Sequence, residues 1–332
     1  MRLTLDQVEG ASHAALTSCG ASDDQAVSVA ASIRDAEAEG TRGIGLGYLP
    51  YYCGHLKVGK IVGDALPVLS TPMPGLVGVD AAGGFAHAAY DAGEKVLIEA
   101  ARRQGIALMG IENAYACGVL GYFTGRLAQH GLIGLMTANA SSTMAPWGGR
   151  EPFFGTNPWS FAAPRAGAPL IIDSSSSATA FVNIANAAAA GEQIPDTWAL
   201  DPEGRPTTDP TEGMAGSIAP AGGHKGAALA LMVEVLSAGL TRSNWSHEAS
   251  SLGDDAGGPP RLGQTLIAIR PDGLGRPDFA ERLDGMLAEM TREAGTRVPG
   301  DRRHDNRAAA ERDGVTVDAA LIETLNGFGA GL

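Results

Sequence analysis

The sequence predicts an α/β or α+β protein, and three observations carry that reading. Segments with apolar residues at helical spacing alternate with short apolar runs of strand length. Turns rich in Gly and Pro separate them, and no tandem repeat orders them. No glycine fingerprint stands between a strand and a helix: Gly43-Ile44-Gly45-Leu46-Gly47 follows a helix, lacks the third spacing and has no acidic partner about 20 residues on. A Rossmann sheet is therefore not expected. The chain has 332 residues, roughly two domains at about 150 residues each.

The elements follow in order. Leu5, Val8, Ala11, Ala15 and Leu16 predict a first helix, with Asp6 in its first turn. Ser22 and Gln25 read as a capping box that opens a second helix through Ile33 and Ala38. Gly40 to Gly47 break the pattern, and a short helix from Tyr48 to Leu56 has Pro50 near its start. Residues 68–80 are strand-like and end in the turn Asp80-Ala81-Ala82-Gly83-Gly84. Residues 86–104 make an amphipathic helix with Ala89, Ala92, Val96, Leu97 and Ala100 on one face. Strands are expected at 106–111, 133–138, 161–163, 170–173 and 264–269. Further helices are expected at 118–130, within 174–190, and at 225–239, 279–294 and 302–312, with Asp318 opening the last. Residues 141–158 and 195–224 read as loops, and 243–263 as a mobile polar loop.

Lys and Arg number 24 against 37 Asp and Glu, a net charge of −13. That balance argues against a nucleic-acid partner and against an anionic membrane surface, while leaving room for a small anionic ligand held by local cations. Cys19, Cys53 and Cys117 lack the spacing of a disulfide framework or zinc cage. No apolar run of about 18 residues occurs, so no membrane span or signal peptide is expected and the cytoplasm is the default location.

No P-loop, HExxH or GxSxG is present, and the seven histidines show no metal-ligand spacing. His224 and Lys225 open a strong helix, where backbone N–H groups and a cation suit a phosphate; a solvated helix start is the plain alternative. Asp173-Ser174-Ser175-Ser176-Ser177 joins a strand to a helix, either as a cradle for a cofactor's pyrophosphate or ribose or as a self-contained hydroxyl turn. Pro299-Gly300-Asp301-Arg302-Arg303 places cations at a helix start, against the macrodipole, which suits an anion site or a surface turn.

The loop Ser141-Ser142-Thr143-Met144-Ala145-Pro146-Trp147-Gly148-Gly149-Arg150, then Gly155-Thr156-Asn157-Pro158, resembles the type-2 malate/L-lactate dehydrogenase family, which includes sulfolactate dehydrogenases and cyclic-ketimine reductases. The match continues through Ile194-Pro195-Asp196-Thr197-Trp198, Gly204-Arg205-Pro206-Thr207-Thr208-Asp209-Pro210, Gly222-Gly223-His224-Lys225-Gly226 and Pro299-Gly300-Asp301-Arg302, nearly the whole chain. The resemblance implies an α/β, non-Rossmann NAD(P)-binding fold. A helical domain is built from residues 1–75 and 275–332, and a mixed-sheet cofactor domain from 76–274. It implies a homodimer that binds NADH or NADPH and a small-molecule substrate. Carried over by position, cofactor contacts fall on Ser141, Ser142, Asp173, Ser174, Ser175, Ser176, Ser177, Ala178, Thr179, His224, Lys225, Gly300, Asp301 and Arg302.

The chain departs from the family at its most chemical positions. A Ser-His pair becomes Gly43-Ile44, an Arg becomes Tyr48, and a second His becomes Ala116. Ketone reduction by hydride leaves an alkoxide that needs a proton donor, and a 2-oxo acid needs a cation for its carboxylate. A protonated imine brings its own positive charge and needs neither. The expected activity is therefore reduction of a cyclic C=N bond by NAD(P)H in specialised metabolism. The alternatives are a 2-hydroxy acid dehydrogenase with a relocated acid, or a non-redox protein that reuses the cleft. Tyr48, Tyr52 and His87 are the catalytic candidates, with Tyr51 and Tyr115 able to line a cation-friendly pocket and Arg42, His55 and Cys117 as further polar groups.

Overall fold

A computed structural model describes residues 1–332. The two chain ends meet first: β1 (Arg2–Leu3) pairs antiparallel with a strand at 315–316, Leu3 facing Val315. Helix α1 (Leu5–Ser18) carries a reciprocal capping box, with Thr4 N donating to Gln7 Oε1 at 2.8 Å and Gln7 N to Thr4 Oγ1 at 3.2 Å. Helix α2 (Asp23–Ala38) has only half of the expected box. Ser22 Oγ accepts from Gln25 N, but the Gln25 side chain turns inward, donating to Ala65 O and accepting from Phe85 N. Two buried backbone groups left without partners outweigh one exposed cap. The short helix is α3 (Leu49–Lys57).

The strand-like run at 68–80 is a hairpin, β2 (Val68–Met73) and β3 (Leu76–Asp80), turning at Pro74-Gly75. Then come α4 (Ala86–Gln104), β4 (Ile106–Ala114), α5 (Leu120–Gln129), β5 (Ile133–Ala138), β6 (Trp159–Ala163), β7 (Leu170–Ser174) and α6 (Phe181–Ala190). The connection at 195–224, expected as a loop, contains β8 (Ala199–Leu200), β9 (Pro206–Thr207), α7 (Pro210–Ala215) and β10 (Ser217–Ile218), and the strands form a small antiparallel sheet. Two-residue strands carry too little periodicity to be read locally. Helix α8 (His224–Glu234) continues as a π-helical turn through Gly239. The chain closes with β11 (Leu262–Ile269), α9 (Phe279–Met290), α10 (Asp301–Asp313), β12 (Val315–Thr316) and α11 (Ala319–Gly327).

The main sheet has seven strands in the order β2-β3-β4-β11-β5-β6-β7. Only β3 and β4 run parallel, joined by the α4 crossover; every other neighbour is antiparallel, so the sheet is mixed. Its core packs Val79, Leu97, Met109, Ile111, Phe123, Leu127, Met136 and Leu266 against α4 and α5. A second core joins both chain ends, with Leu5, Val8, Leu16, Val29, Ile33, Leu49 and Tyr52 meeting Val315, Val317 and Leu325. Two elements cross the division expected from sequence. β2 extends the main sheet, and α9 packs Leu287 on Ala163 and Leu170 beside β7. No helix is long and apolar enough to cross a membrane.

The segment 243–263, expected to be mobile, is pinned. Buried Lys60 donates to Ser251 O at 2.5 Å and Asp254 O at 2.7 Å. Leu252 N donates to Ser141 Oγ, and Ser142 N to Ser246 O. A charged donor buried with two carbonyls is worth more than the loop's polarity suggests.

Candidate active site

Ile44, Tyr48 and Ala116 lie together. After β4 the chain turns through Gly118, whose φ is +65° and whose Cβ, if present, would meet Ile44 Cγ2 at 3.3 Å and the Tyr52 hydroxyl at 3.4 Å. Tyr48 and Ala116 pack against the same core, and both remain partly open. The α3 spacing i, i+4, i+7 puts Tyr48, Tyr52 and His55 on one face. Tyr48 stacks on Tyr51 at 5.1 Å between ring centroids and meets Tyr52 edge-on at 4.9 Å; Tyr52 meets Tyr115 at 5.9 Å. The Tyr115 hydroxyl lies 2.5 Å from His55 Nδ1. Burial pushes the Tyr48, Tyr52 and Tyr115 phenols up, so all three stay neutral. The result is an aromatic, hydroxyl-bearing floor with no cationic side chain at the changed positions.

Next to this floor stands Asp173, at the end of β7. Its Oδ2 accepts from Gly121 N at 3.0 Å, at the start of α5, and lies 3.4 Å from Arg303 Nη1. Arg303 also reaches Glu39 at 3.4 Å. Burial raises the Asp173 carboxyl, and Arg303 and the Gly121 amide oppose that rise. Arg303 is thus the inward cation of α10, while Arg302 is exposed on the outer side and Asp301 pairs with Arg165 at 2.9 Å. Helical period carries the signal: Arg303 and Arg307, four residues apart, both face Glu39.

The hydroxyl run largely satisfies itself. Ser176 Oγ donates to Asn157 O at 2.7 Å, Ser177 Oγ to Thr179 O at 2.7 Å and Ser175 Oγ to Ser177 O at 3.1 Å, which leaves Ser174 exposed. Ala178 faces a neighbouring cleft of about 840 Å³ walled by Pro146-Trp147-Gly148-Gly149, Asp196-Thr197-Trp198 and Ala219 to Gly223. The volume is that of a small-molecule or cofactor site. Gly222 and Gly223 hold φ of +64° and +67°, and a Cβ on Gly223 would lie 3.0 Å from the Trp147 ring. Gly223 caps α8 with no side chain, so the first N–H groups stay open beside exposed Lys225 and His224. The buried hydroxyls of Thr143 and Ser217 lack partners beside the same wall. These features fit a nicotinamide dinucleotide with its phosphates at α8.

His87 does not join the tyrosines. It is buried between α2 and α5, with Nε2 3.2 Å from Ser32 Oγ, and it packs on Phe85, Tyr122 and Phe123. Burial lowers its pKa to about 4, so it is neutral at physiological pH. Ser141 is likewise buried and spends its acceptor on Leu252 N.

The profile of the malate/L-lactate dehydrogenase family matches residues 3–326. A (2R)-3-sulfolactate dehydrogenase (NADP(+)) of Chromohalobacter salexigens is 39% identical over 98% of this chain and 97% of its own. A Δ1-pyrroline-2-carboxylate/Δ1-piperideine-2-carboxylate reductase of Pseudomonas putida is 36% identical over 98% and 96%. The crystal structure of the Δ1-piperideine-2-carboxylate reductase of Pseudomonas syringae pv. tomato superposes with a TM-score of 0.94 over 99% of both chains, at 34% identity. Profile, sequence and fold match over nearly the whole length, and the chain belongs to the malate/L-lactate dehydrogenase family.

Proposed function

We propose that this enzyme reduces a cyclic imine with NADPH. The observation that carries the reading is the floor of Ile44, Tyr48 and Ala116, where no histidine stands to protonate the alkoxide that ketone reduction leaves. A protonated imine carries its charge with it, and the Tyr48–Tyr51–Tyr52 cluster accommodates that charge on aromatic faces. The core built from both chain ends supplies this floor, and the loops around 145–149 and 219–223 supply the cofactor wall. A bound reduced nicotinamide would supply the hydride. Lys225 and the open amides of α8 hold the phosphates, Asp173 orients the neighbouring group through Arg303 and Gly121 N, and Trp147 closes the wall. The similarity to cyclic-imine reductases at 34–36% identity supports the reading.

The 39% identical sulfolactate dehydrogenase favours a second reading, oxidation of a 2-hydroxy acid. Cofactor oxidation across a panel decides between them. Δ1-piperideine-2-carboxylate and Δ1-pyrroline-2-carboxylate are expected to outpace pyruvate, oxaloacetate and sulfopyruvate by about 10²-fold or more in kcat/KM, the low end of what a missing general acid costs. Faster turnover of any of these 2-oxo acids would overturn the imine reading.

We further propose a homodimer in the cytoplasm. Leu231, Met232, Val235 and Leu240 form an exposed apolar face along α8 and its π-helical extension, with Phe153 and Trp147 also exposed. A second copy covers that face. Light scattering at micromolar concentration should read twice 33.9 kDa, and a clean monomer would refute it.

A further inference from the structure

We propose that Glu37 is a positioning residue for the substrate floor: without touching substrate, it holds the turn that carries Ile44 and Tyr48. The proposal rests on the reading of those two residues as the floor beneath the substrate. The end of α2 carries Asp35, Glu37 and Glu39, with no basic residue in its last turn. Asp35 and Glu39 face α10, where Arg307 meets them at 2.9 and 3.0 Å and Asn306 Nδ2 donates to the Glu39 carbonyl at 3.0 Å. Glu37 lies between them in sequence, and so on the other side of a helix with about 3.6 residues per turn. It is buried and makes no ion pair, and its carboxylate has one hydrogen-bond partner: Oε1 accepts from Leu46 N at 2.8 Å.

That bond reaches into the middle of the turn. Ile44 N donates to Thr41 O, Gly45 N and Gly47 N to Arg42 O, and Tyr48 N to Gly45 O, so the chain coils tightly from Thr41 to Tyr48. Leu46 stands midway between Ile44 and Tyr48, with its side chain sealed in the core of the two chain ends. Its amide has Glu37 as acceptor. Gly45 makes the approach possible, since a Cβ there would lie 2.5 Å from Glu37 Oε1, whereas one on Gly43 would meet nothing within 4 Å.

A buried amide is costly to leave without an acceptor, and a buried carboxylate without a donor, so each group here satisfies the other. Without Glu37 the Leu46 amide has to find another acceptor, which recoils the turn and shifts Ile44 and Tyr48 against the substrate. Burial raises the Glu37 pKa, opposed by the Leu46 amide and the Arg42 charge. A protonated carboxyl still keeps an acceptor oxygen, so the hold on the turn does not depend on charge. Hydride transfer does depend on the turn's position, because a misplacement of about 1 Å caused far from the chemistry can cost about 10²-fold in rate.

The test is single-turnover oxidation of bound NADPH by Δ1-piperideine-2-carboxylate, with NADPH affinity measured alongside. Glu37→Ala should lower the rate about 10²-fold while NADPH affinity holds within about twofold. Glu37→Gln, which keeps an acceptor for Leu46 N, should recover most of that rate. Gly45→Ala, with Glu37 in place, should reproduce the loss by pushing the carboxylate off the amide, and it decides the matter if Glu37→Ala does not fold. A wild-type rate in Glu37→Ala or in Gly45→Ala overturns the proposal, and so does a Glu37→Gln variant as slow as Glu37→Ala. Should the wild type reduce only 2-oxo acids, the imine reading fails instead, and the same variants are read with the 2-oxo acid. A readout free of turnover is the set of Tyr48 ring resonances in the cofactor-free protein. They must shift in Glu37→Ala and return in Glu37→Gln, and signals unmoved in Glu37→Ala overturn the proposal whatever the substrate.

Discussion

Tyr48→Arg combined with Ala116→His raises kcat/KM for a simple 2-oxo acid by about 10²–10⁴-fold, the range a positioned general acid supplies. Both positions lie at the partly open floor beside Ile44 and Gly118, so an added guanidinium and imidazole share one substrate. The guanidinium offers a bidentate grip on a carboxylate that a phenol cannot match. The imidazole supplies a donor near neutral pKa to the developing alkoxide. The same pair should depress imine reduction, because the added guanidinium sets a fixed cation beside the protonated C=N nitrogen and the aromatic face of Tyr48 is lost. Measured kcat/KM across the panel, with circular dichroism to show a folded variant, checks this. A folded double variant with no gain on any 2-oxo acid would show that the missing groups do not explain the specificity.

His87→Gln removes most of an acid-sensitive component of stability worth about 3 kcal/mol between pH 6.5 and 4, since burial holds His87 at about 4 against an ordinary 6.5. The folded state refuses a proton that the unfolded state accepts. Stability therefore falls as pH drops from 6.5 towards 4, and below that both states are protonated and the loss is complete. The bare Nδ1 and the Phe85, Tyr122 and Phe123 rings leave a charged imidazole without solvent or a direct counter-charge. Urea unfolding at pH 7 and pH 4.5 reads the effect as a smaller difference in the variant. Equal pH sensitivity in both proteins would mean that His87 is not held neutral.

How much is legible in sequence varies with the range of the interaction. Helix α4 is legible to the residue, because Ala89, Leu97 and Ala100 recur at helical spacing and Gly105, with φ of +87°, ends it. The order of the longer helices and strands and the absence of a dinucleotide fingerprint are equally visible, whereas β8, β9, α7 and β10 are not, being too short to carry a period. The cofactor turns are visible as motifs, but not which cation of α10 faces inward. Arg303 rather than Arg302 does so, because Gly300 seats against Ile171 and sets the rotation of the helix. His87 is a polar candidate in sequence alone, and only packing shows it enclosed. The contacts of His55 are out of reach of any local pattern: it meets Tyr115 across 60 residues and Asp254 across 199. Spacing along a chain determines which face of an element is apolar, and hence fold class. Which polar groups end within hydrogen-bond reach depends on how those faces dock, so the tertiary structure alone decided the chemistry available at the floor.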